Sequence, residues 1–206
     1  MQSPVGIPVL IVLGGYLLGS VLPAEWFVRR KTGRSAHELA ENPGGAGTYR
    51  LAGFWAAAFV SLFDIAKGLA PVALADSMGL EGAWLVAAAC APVAGHNWPI
   101  YRGFRPGGKG MAAALGASVL LGWPSILPGL GIGAVLVLWR RWAPWIGVAG
   151  LPLGLLGMGL AGMPAARLWG VVGLILLMLL RLAPWLNEQW QARRKTGRFP
   201  PPGKSW

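Results

Sequence analysis

Charge is scarce in this sequence. Asp, Glu, Lys and Arg make up 12% of its 206 residues, while hydrophobic residues make up 55%. A water-soluble domain of this size carries about 25% charged residues. The shortage excludes an ordinary soluble fold and points to an integral membrane protein. Acid is scarcest of all, with 7 Asp and Glu against 18 Lys and Arg. Such an excess of cations can serve nucleic acid, but here the cations fill the gaps between apolar stretches, where membrane proteins keep their cytoplasmic Lys and Arg. Nucleic acid is therefore not the expected partner. The single cysteine, Cys90, lies in an apolar run, which excludes an intrachain disulfide and suggests packing. There are only two histidines, His37 and His96, and the fifth residue after each is Asn42 or Tyr101, so no H-x-x-x-x-D box exists. A G-x-S-x-G elbow and a Cys–His cluster are missing too. Chemistry in this chain has to rest on positioning and charge stabilisation, with no metal and no cofactor expected.

Long apolar runs are what the chain has in abundance. A helix needs about 20 residues to span a bilayer, fewer where the bilayer thins. On that ruler seven segments stand out: 5–22, 51–75, 80–94, 111–121, 126–138, 145–161 and 166–182. The third to fifth are short, and Pro71, Pro128 and Pro152 are candidate kinks. The first run follows an uncharged Met1-Gln2-Ser3-Pro4 and precedes Arg29, Arg30, Lys31 and Arg34, the order of a retained span rather than a cleaved signal. With seven crossings from an outside N-terminus, every Lys and Arg except Lys67 and Arg167 falls inside. Dropping one crossing would send the later groups outside, against the positive-inside rule. Trp26, Trp98, Trp123, Trp142, Trp145 and Trp185 at segment ends read as an interfacial belt. The expected fold is an all-α integral membrane protein of seven transmembrane helices, N-terminus outside and C-terminus cytoplasmic. It forms one domain over 1–206, with 187–206 a basic cytoplasmic tail. Gly129/Gly133 and Gly150/Gly154 are spaced for close helix packing.

Three polar constellations interrupt the apolar background. The stretch 95–110 combines His96, Arg102, Arg105 and Lys109 with Gly95, Gly103, Gly107, Gly108 and Gly110. Glycine lets backbone amides approach a ligand, lysine adds a mobile charge, and a helix starting near Met111 would aim its positive end at the same spot. A phosphate-sized anion is the expected guest, and a basic loop obeying only topology rules is the plain alternative. Gly103 through Lys109 matches G-x-x-x-x-G-K, yet Gly110 stands where a nucleotide loop needs Ser or Thr and no β-strand precedes it, so nucleotide hydrolysis is set aside. The loop from Glu41 to Arg50 is likewise glycine-rich and ends in a residue suited to bidentate phosphate contact. Asp64 and Lys67, three apart inside a span, share one helix face and read as a structural ion pair.

These blocks together resemble the bacterial acyl-phosphate:glycerol-3-phosphate acyltransferases, the PlsY family of inner-membrane enzymes. The resemblance runs through Gly19-Ser20 with Pro23, Asn42-Pro43-Gly44 to Arg50, Asp64-x-x-Lys67-Gly68 with Pro71-Val72, Gly95-His96, Pro99, Gly103-Phe104, Gly107-Gly108-Lys109-Gly110 and Ala114-Leu115-Gly116. It covers roughly the first 120 residues. It implies transfer of a fatty acyl group from acyl phosphate to glycerol 3-phosphate, giving lysophosphatidic acid at the bacterial inner membrane. By the same resemblance, Arg50, Gly107, Gly108 and Lys109 would bind substrate phosphate; Asn42, Gly44 and Gly110 are expected to join them, with Arg50, Lys109 and His96 as the expected catalytic residues. Ala40, Ala46 and Gly47 replace the family's serine, threonine and asparagine, Pro106 is inserted, and no histidine accompanies Asn187 near the C-terminus. Those departures motivate a second expectation, a non-catalytic or altered-substrate relative that binds a phosphate-bearing lipid precursor. A transporter ranks below both, since two similar halves are not visible.

Overall fold

The computed structural model describes residues 6–39, 41–140 and 144–196. Met1 to Val5, Ala40, Trp142 and the tail beyond Thr196 lie outside the described residues. The regular elements of the described residues are all helices, with no strand. In order come α1 (Gly6–Ser20), α2 (Pro23–Thr32), α3 (Gly45–Ala52), α4 (Phe54–Ser77), α5 (Gly82–Asn97), α6 (Met111–Arg140), α7 (Trp145–Val148), α8 (Gly150–Leu160) and α9 (Ala165–Thr196). Four described stretches are long and apolar enough to cross a membrane: Gly6–Thr32, Phe54–Ser77, Met111–Arg140 and Ala165–Pro184.

The packing reverses the size rule of a soluble core. Many large apolar side chains face outward, with Trp55 and Leu160 each 83% exposed, while alanine and valine make up most of the buried apolar residues. Lipid tails are as apolar as leucine, so helices gain most by bringing backbones close through small residues. Gly19 of α1 sits under the Pro92 carbonyl of α5, and Gly95 sits under Tyr16 of α1. Gly68 of α4 meets the Ala113 carbonyl of α6, and Gly116 meets Ile65. Gly129 of the first small-residue pair noted in the sequence packs on the second pair: a Cβ on it would lie 2.5 Å from the Gly150 carbonyl oxygen and 2.6 Å from the Gly154 nitrogen.

Helix α6 is not one rod. Gly122 has non-helical dihedrals (φ −174°, ψ 57°) in its middle. A Cβ on Gly133 would lie 2.8 Å from the Ile146 Cα, and one on Gly147 would lie 3.5 Å from the Met111 side chain. A straight helix would hold Met111 and Gly133 about 33 Å apart. Both instead abut residues 146 and 147, so the chain folds back at Gly122. The arms correspond to the expected segments 111–121 and 126–138.

Two boundaries differ from the sequence reading. The stretch after residue 22 is a ten-residue helix, α2, with Pro23 preset in its first turn and Gly33 closing it at φ 72°. Arg50 was expected at the head of a long segment 51–75. It lies instead on α3, which Gly53 separates from α4 with φ 91°, a conformation that favours glycine. The basic tail expected from 187 begins as a continuation of α9 to Thr196.

Candidate phosphate site

The loop 98–110 is tied down at nearly every turn. Tyr16 Oη of α1 donates to the Trp98 carbonyl at 2.5 Å. The Ile100 amide donates to Ser20 Oγ at 3.3 Å, and Arg102 Nη1 donates to Glu25 of α2 at 2.8 Å. Asn97 Nδ2 reaches across to the Leu177 carbonyl of α9 at 3.1 Å. Gly103 and Phe104 both adopt positive φ (62° and 61°), which turns the loop back toward α5. The loop then closes on the end of α5: the Gly107 amide donates to the Asn97 carbonyl at 2.8 Å, and the Gly108 amide to the His96 carbonyl at 3.1 Å.

That closure corrects one detail of the sequence reading. The Gly107 and Gly108 amides were expected to cradle an anion, but both already have carbonyl acceptors in the chain. What these glycines supply is proximity. A Cβ on Gly108 would collide with His96 Nε2, and one on Gly107 would lie 2.8 Å from Pro99. The amides left without an intrahelical acceptor belong to the next turn. Gly110, at φ 67°, starts α6, and its carbonyl accepts from the Ala114 amide at 2.8 Å. The amides of Met111, Ala112 and Ala113 then belong to the first turn, where no intrahelical acceptor exists. Asn97 packs beneath: a Cβ on Gly110 would lie 2.6 Å from its Oδ1.

Lys109 stands at this helix start, half-buried. Burial, then the guanidinium charges of Arg181 and Arg50, pull its ammonium down to about 7. Arg50 and Lys109 therefore share one end of the bundle and one electrostatic field. Arg50 is held by Glu41, with Nε on Oε1 at 2.8 Å and Nη2 on Oε2 at 2.6 Å. This bidentate bond, opposed by partial burial, raises its affinity for its proton. Its side chain is 43% exposed, so one edge of the fork faces outward. Asn42 and Gly44 precede α3: the Gly44 amide donates to the Asn42 carbonyl at 2.8 Å, and Asn42 Oδ1 is buried without a partner.

Behind the loop lies a buried polar line. Asp64 and Lys67 pair at 2.7 Å, and Lys67 Nζ also donates to the Val21 carbonyl at 2.8 Å, where α1 gives way to α2. His96, 3% exposed, sets Nδ1 3.5 Å from Asp64 Oδ1 and turns Nε2 to Gly108. His96 thus backs the loop from a buried position. Among the described residues no cluster of His, Cys, Asp and Glu is suited to a metal ion.

Arg181 and Glu41 are the members that sequence reasoning missed. Arg181 reaches from α9 and donates through Nη2 to the Gly107 carbonyl at 3.0 Å. Its signal was a cation at the closing edge of the apolar run 166–182, where intramembrane charge marks function. Glu41 gave no comparable signal, because an acid at a loop start is ordinary.

The model of the glycerol-3-phosphate acyltransferase family matches residues 9–193. The chain belongs to that family. A glycerol-3-phosphate acyltransferase of Rubrobacter xylanophilus is 44% identical over 133 residues, which cover 64% of this chain and 63% of the relative. The matches to two further curated relatives span 53% and 54% of their lengths. Among solved structures, the glycerol 3-phosphate form of PlsY, described as an integral membrane glycerol 3-phosphate acyltransferase, aligns with a TM-score of 0.77 at 26% identity. That alignment covers 95% of this chain and 96% of that one. Its lysophosphatidic acid form aligns at 0.74 and 29% identity, over 96% of each. This member of the glycerol-3-phosphate acyltransferase family thus shares the fold of a membrane enzyme along nearly its whole length.

Proposed function

We propose that the protein transfers a fatty acyl group from acyl phosphate to glycerol 3-phosphate, forming lysophosphatidic acid. The observation that carries this reading is the Lys109 loop at the start of α6, with Arg181 on its Gly107 carbonyl and the Arg50 charge acting on the Lys109 ammonium. Two phosphate-bearing substrates need that combination of mobile ammonium, planar guanidinium and helix N-terminus. The relatives' activity and the two ligand forms of PlsY support it.

The step needs no nucleophilic side chain. The glycerol hydroxyl oxygen attacks the acyl carbon, the bond from that carbon to the phosphate oxygen breaks, and inorganic phosphate departs. The hydroxyl proton passes to a phosphate oxygen, so the atoms balance without a protein base. Lys109, Arg50 and the Met111 to Ala113 amides offset the charge that gathers on the departing phosphate. Asn42, Gly44, Gly107, Gly108 and Gly110 shape the phosphate-binding walls, with His96 holding Gly108 in place. The outward-facing leucines give an acyl chain an apolar surface to lie along.

The same reading places the loop end of the bundle in the cytoplasm of a bacterial inner membrane, with seven crossings and the N-terminus outside. Support comes from charge. Arg167, paired with Asp76 at 2.8 Å, sits near the far end of α4, about 33 Å along the helix from its start beside Arg50.

Purified protein given acyl phosphate and glycerol 3-phosphate should release lysophosphatidic acid; no product above a heat-killed control would overturn the proposal. A second reading, a relative that binds but does not turn over, is favoured by the Glu41 hold on Arg50 and by Ala46 and Gly47 in α3. Saturable binding of glycerol 3-phosphate without product would establish it.

A further inference from the structure

Three arginines of the described chain are each matched to a carboxylate: Arg50 to Glu41, Arg102 to Glu25 and Arg167 to Asp76. Among the described residues none is paired with Arg181. Its Nη2 is occupied by the Gly107 carbonyl at 3.0 Å, but its Nε is buried with no acceptor. A guanidinium carries five N–H donors in a planar fork, and a buried donor left unmatched is unfavourable unless something arrives to accept it. The Arg181 fork is held, through Gly107, against the loop that carries Lys109. Its charge also weighs on the Lys109 ammonium, ahead of that of Arg50. Two like charges brought together at the membrane boundary, one of them with an unfilled donor, ask for an anion between them.

We propose that Arg181 is a phosphate ligand, gripping a substrate phosphate together with Lys109 from the α9 side of the 98–110 loop. The proposal rests on the reading that the site takes phosphate-bearing substrates. It divides the work between the two arginines. Arg50 comes with its own counter-ion and adds little net charge, whereas Arg181 adds a full one. Arg181 is also the cation that extends from a lipid-embedded helix, on the side from which a membrane-dissolved acyl phosphate arrives. Glycerol 3-phosphate comes from water, so separate measurements on the two substrates show which phosphate Arg181 holds.

The competing account is mechanical: Arg181 merely clamps the Gly107 carbonyl. A clamp on a carbonyl needs only a neutral donor, so Gln would serve in its place. The test uses the full chain in lipid nanodiscs, as wild type, Arg181→Gln and Arg181→Lys. Thermal shift with inorganic phosphate and with glycerol 3-phosphate reads affinity without turnover, and KM for each substrate reads it during turnover. Removing one charged hydrogen-bond donor should weaken binding roughly 10- to 100-fold for at least one substrate. Lys should restore part of it, with the unliganded melting temperature nearly unchanged. Affinities and KM values kept by Arg181→Gln, alongside a lower melting temperature, would make Arg181 a clamp and overturn the proposal. Should Arg181→Gln fail to fold, the Lys variant decides, since it keeps the charge but loses the fork. Full affinity in that variant overturns the proposal, and weakened affinity in a stable protein supports it. Wild type that binds phosphate compounds but yields no lysophosphatidic acid would sink the acyltransferase reading while leaving Arg181 to be judged on binding alone. Wild type that binds neither compound would sink both.

Discussion

Lys109 is poised between charged and neutral near physiological pH, because burial, Arg181 and Arg50 all oppose its proton. A phosphate dianion reverses that balance and favours the charged form. Binding near pH 8 should therefore take up a proton, while binding near pH 6 should not. Affinity for glycerol 3-phosphate should fall as pH rises through about 7. Calorimetry in buffers of different ionisation heat checks the sign, and a pH-independent affinity would refute it. Glu41 holds the Arg50 guanidinium that the proposed function assigns to substrate phosphate. Replacing Glu41 with Gln keeps a hydrogen bond but removes the charge, and should tighten phosphate binding by about two- to fivefold, the scale of a partly exposed ion pair. Asp64 and Lys67 were readable as a pair because three residues along a helix return to the same face. Asp64→Asn strands a buried ammonium and should cost about 3–5 kcal/mol, with most of it recovered by adding Lys67→Met. Melting temperatures of the single and double variants measure this. Arg181 was harder to read, because distance along the chain says nothing of which loop a guanidinium meets.

Among the helices, small residues decide which neighbours touch. Gly129 and Gly154 meet without side chains between them, so Gly154→Val should force α6 from α8 at a cost of about 1–3 kcal/mol. An equal melting temperature for the variant would contradict that packing. The fold-back at Gly122 follows the same logic, since a Cβ there would lie 2.7 Å from the Met158 methyl. Spacing alone showed Gly129/Gly133 and Gly150/Gly154 as packing faces, yet not that Gly129 packs on the second pair. The start of α6 at Met111 was legible from the glycine run before it. The helix α2 was not, because four cations in its neighbourhood masked a ten-residue amphipathic helix as an ordinary loop.

Across the whole molecule, polarity is sorted from end to end. Arg50, Lys109 and Arg181 gather at one end, and the Arg167–Asp76 pair stands apart from them on the far stretch of α4. The proposed orientation makes a direct prediction. Cysteines placed at Arg105 and at Gly79, in a Cys90→Ala background, should be labelled by a membrane-impermeant thiol reagent from opposite faces of sealed vesicles. Labelling of both from the same face would refute the seven-crossing arrangement. Only position 79 should react in intact spheroplasts if the loop end is cytoplasmic.

The residue order by itself determined that this chain belongs in a bilayer, because too few charges and too many apolar runs leave no soluble alternative. It also made a phosphate-sized anion the expected guest of 95–110, because glycine amides and a lysine are the groups that suit one. Tertiary structure decided which donors remain for it. The Gly107 and Gly108 amides go to α5, Arg50 goes to Glu41, and Arg181 arrives from a helix more than seventy residues away. Hydrogen bonds are satisfied by whatever lies nearest in space, and nearness in space is settled only when the helices pack.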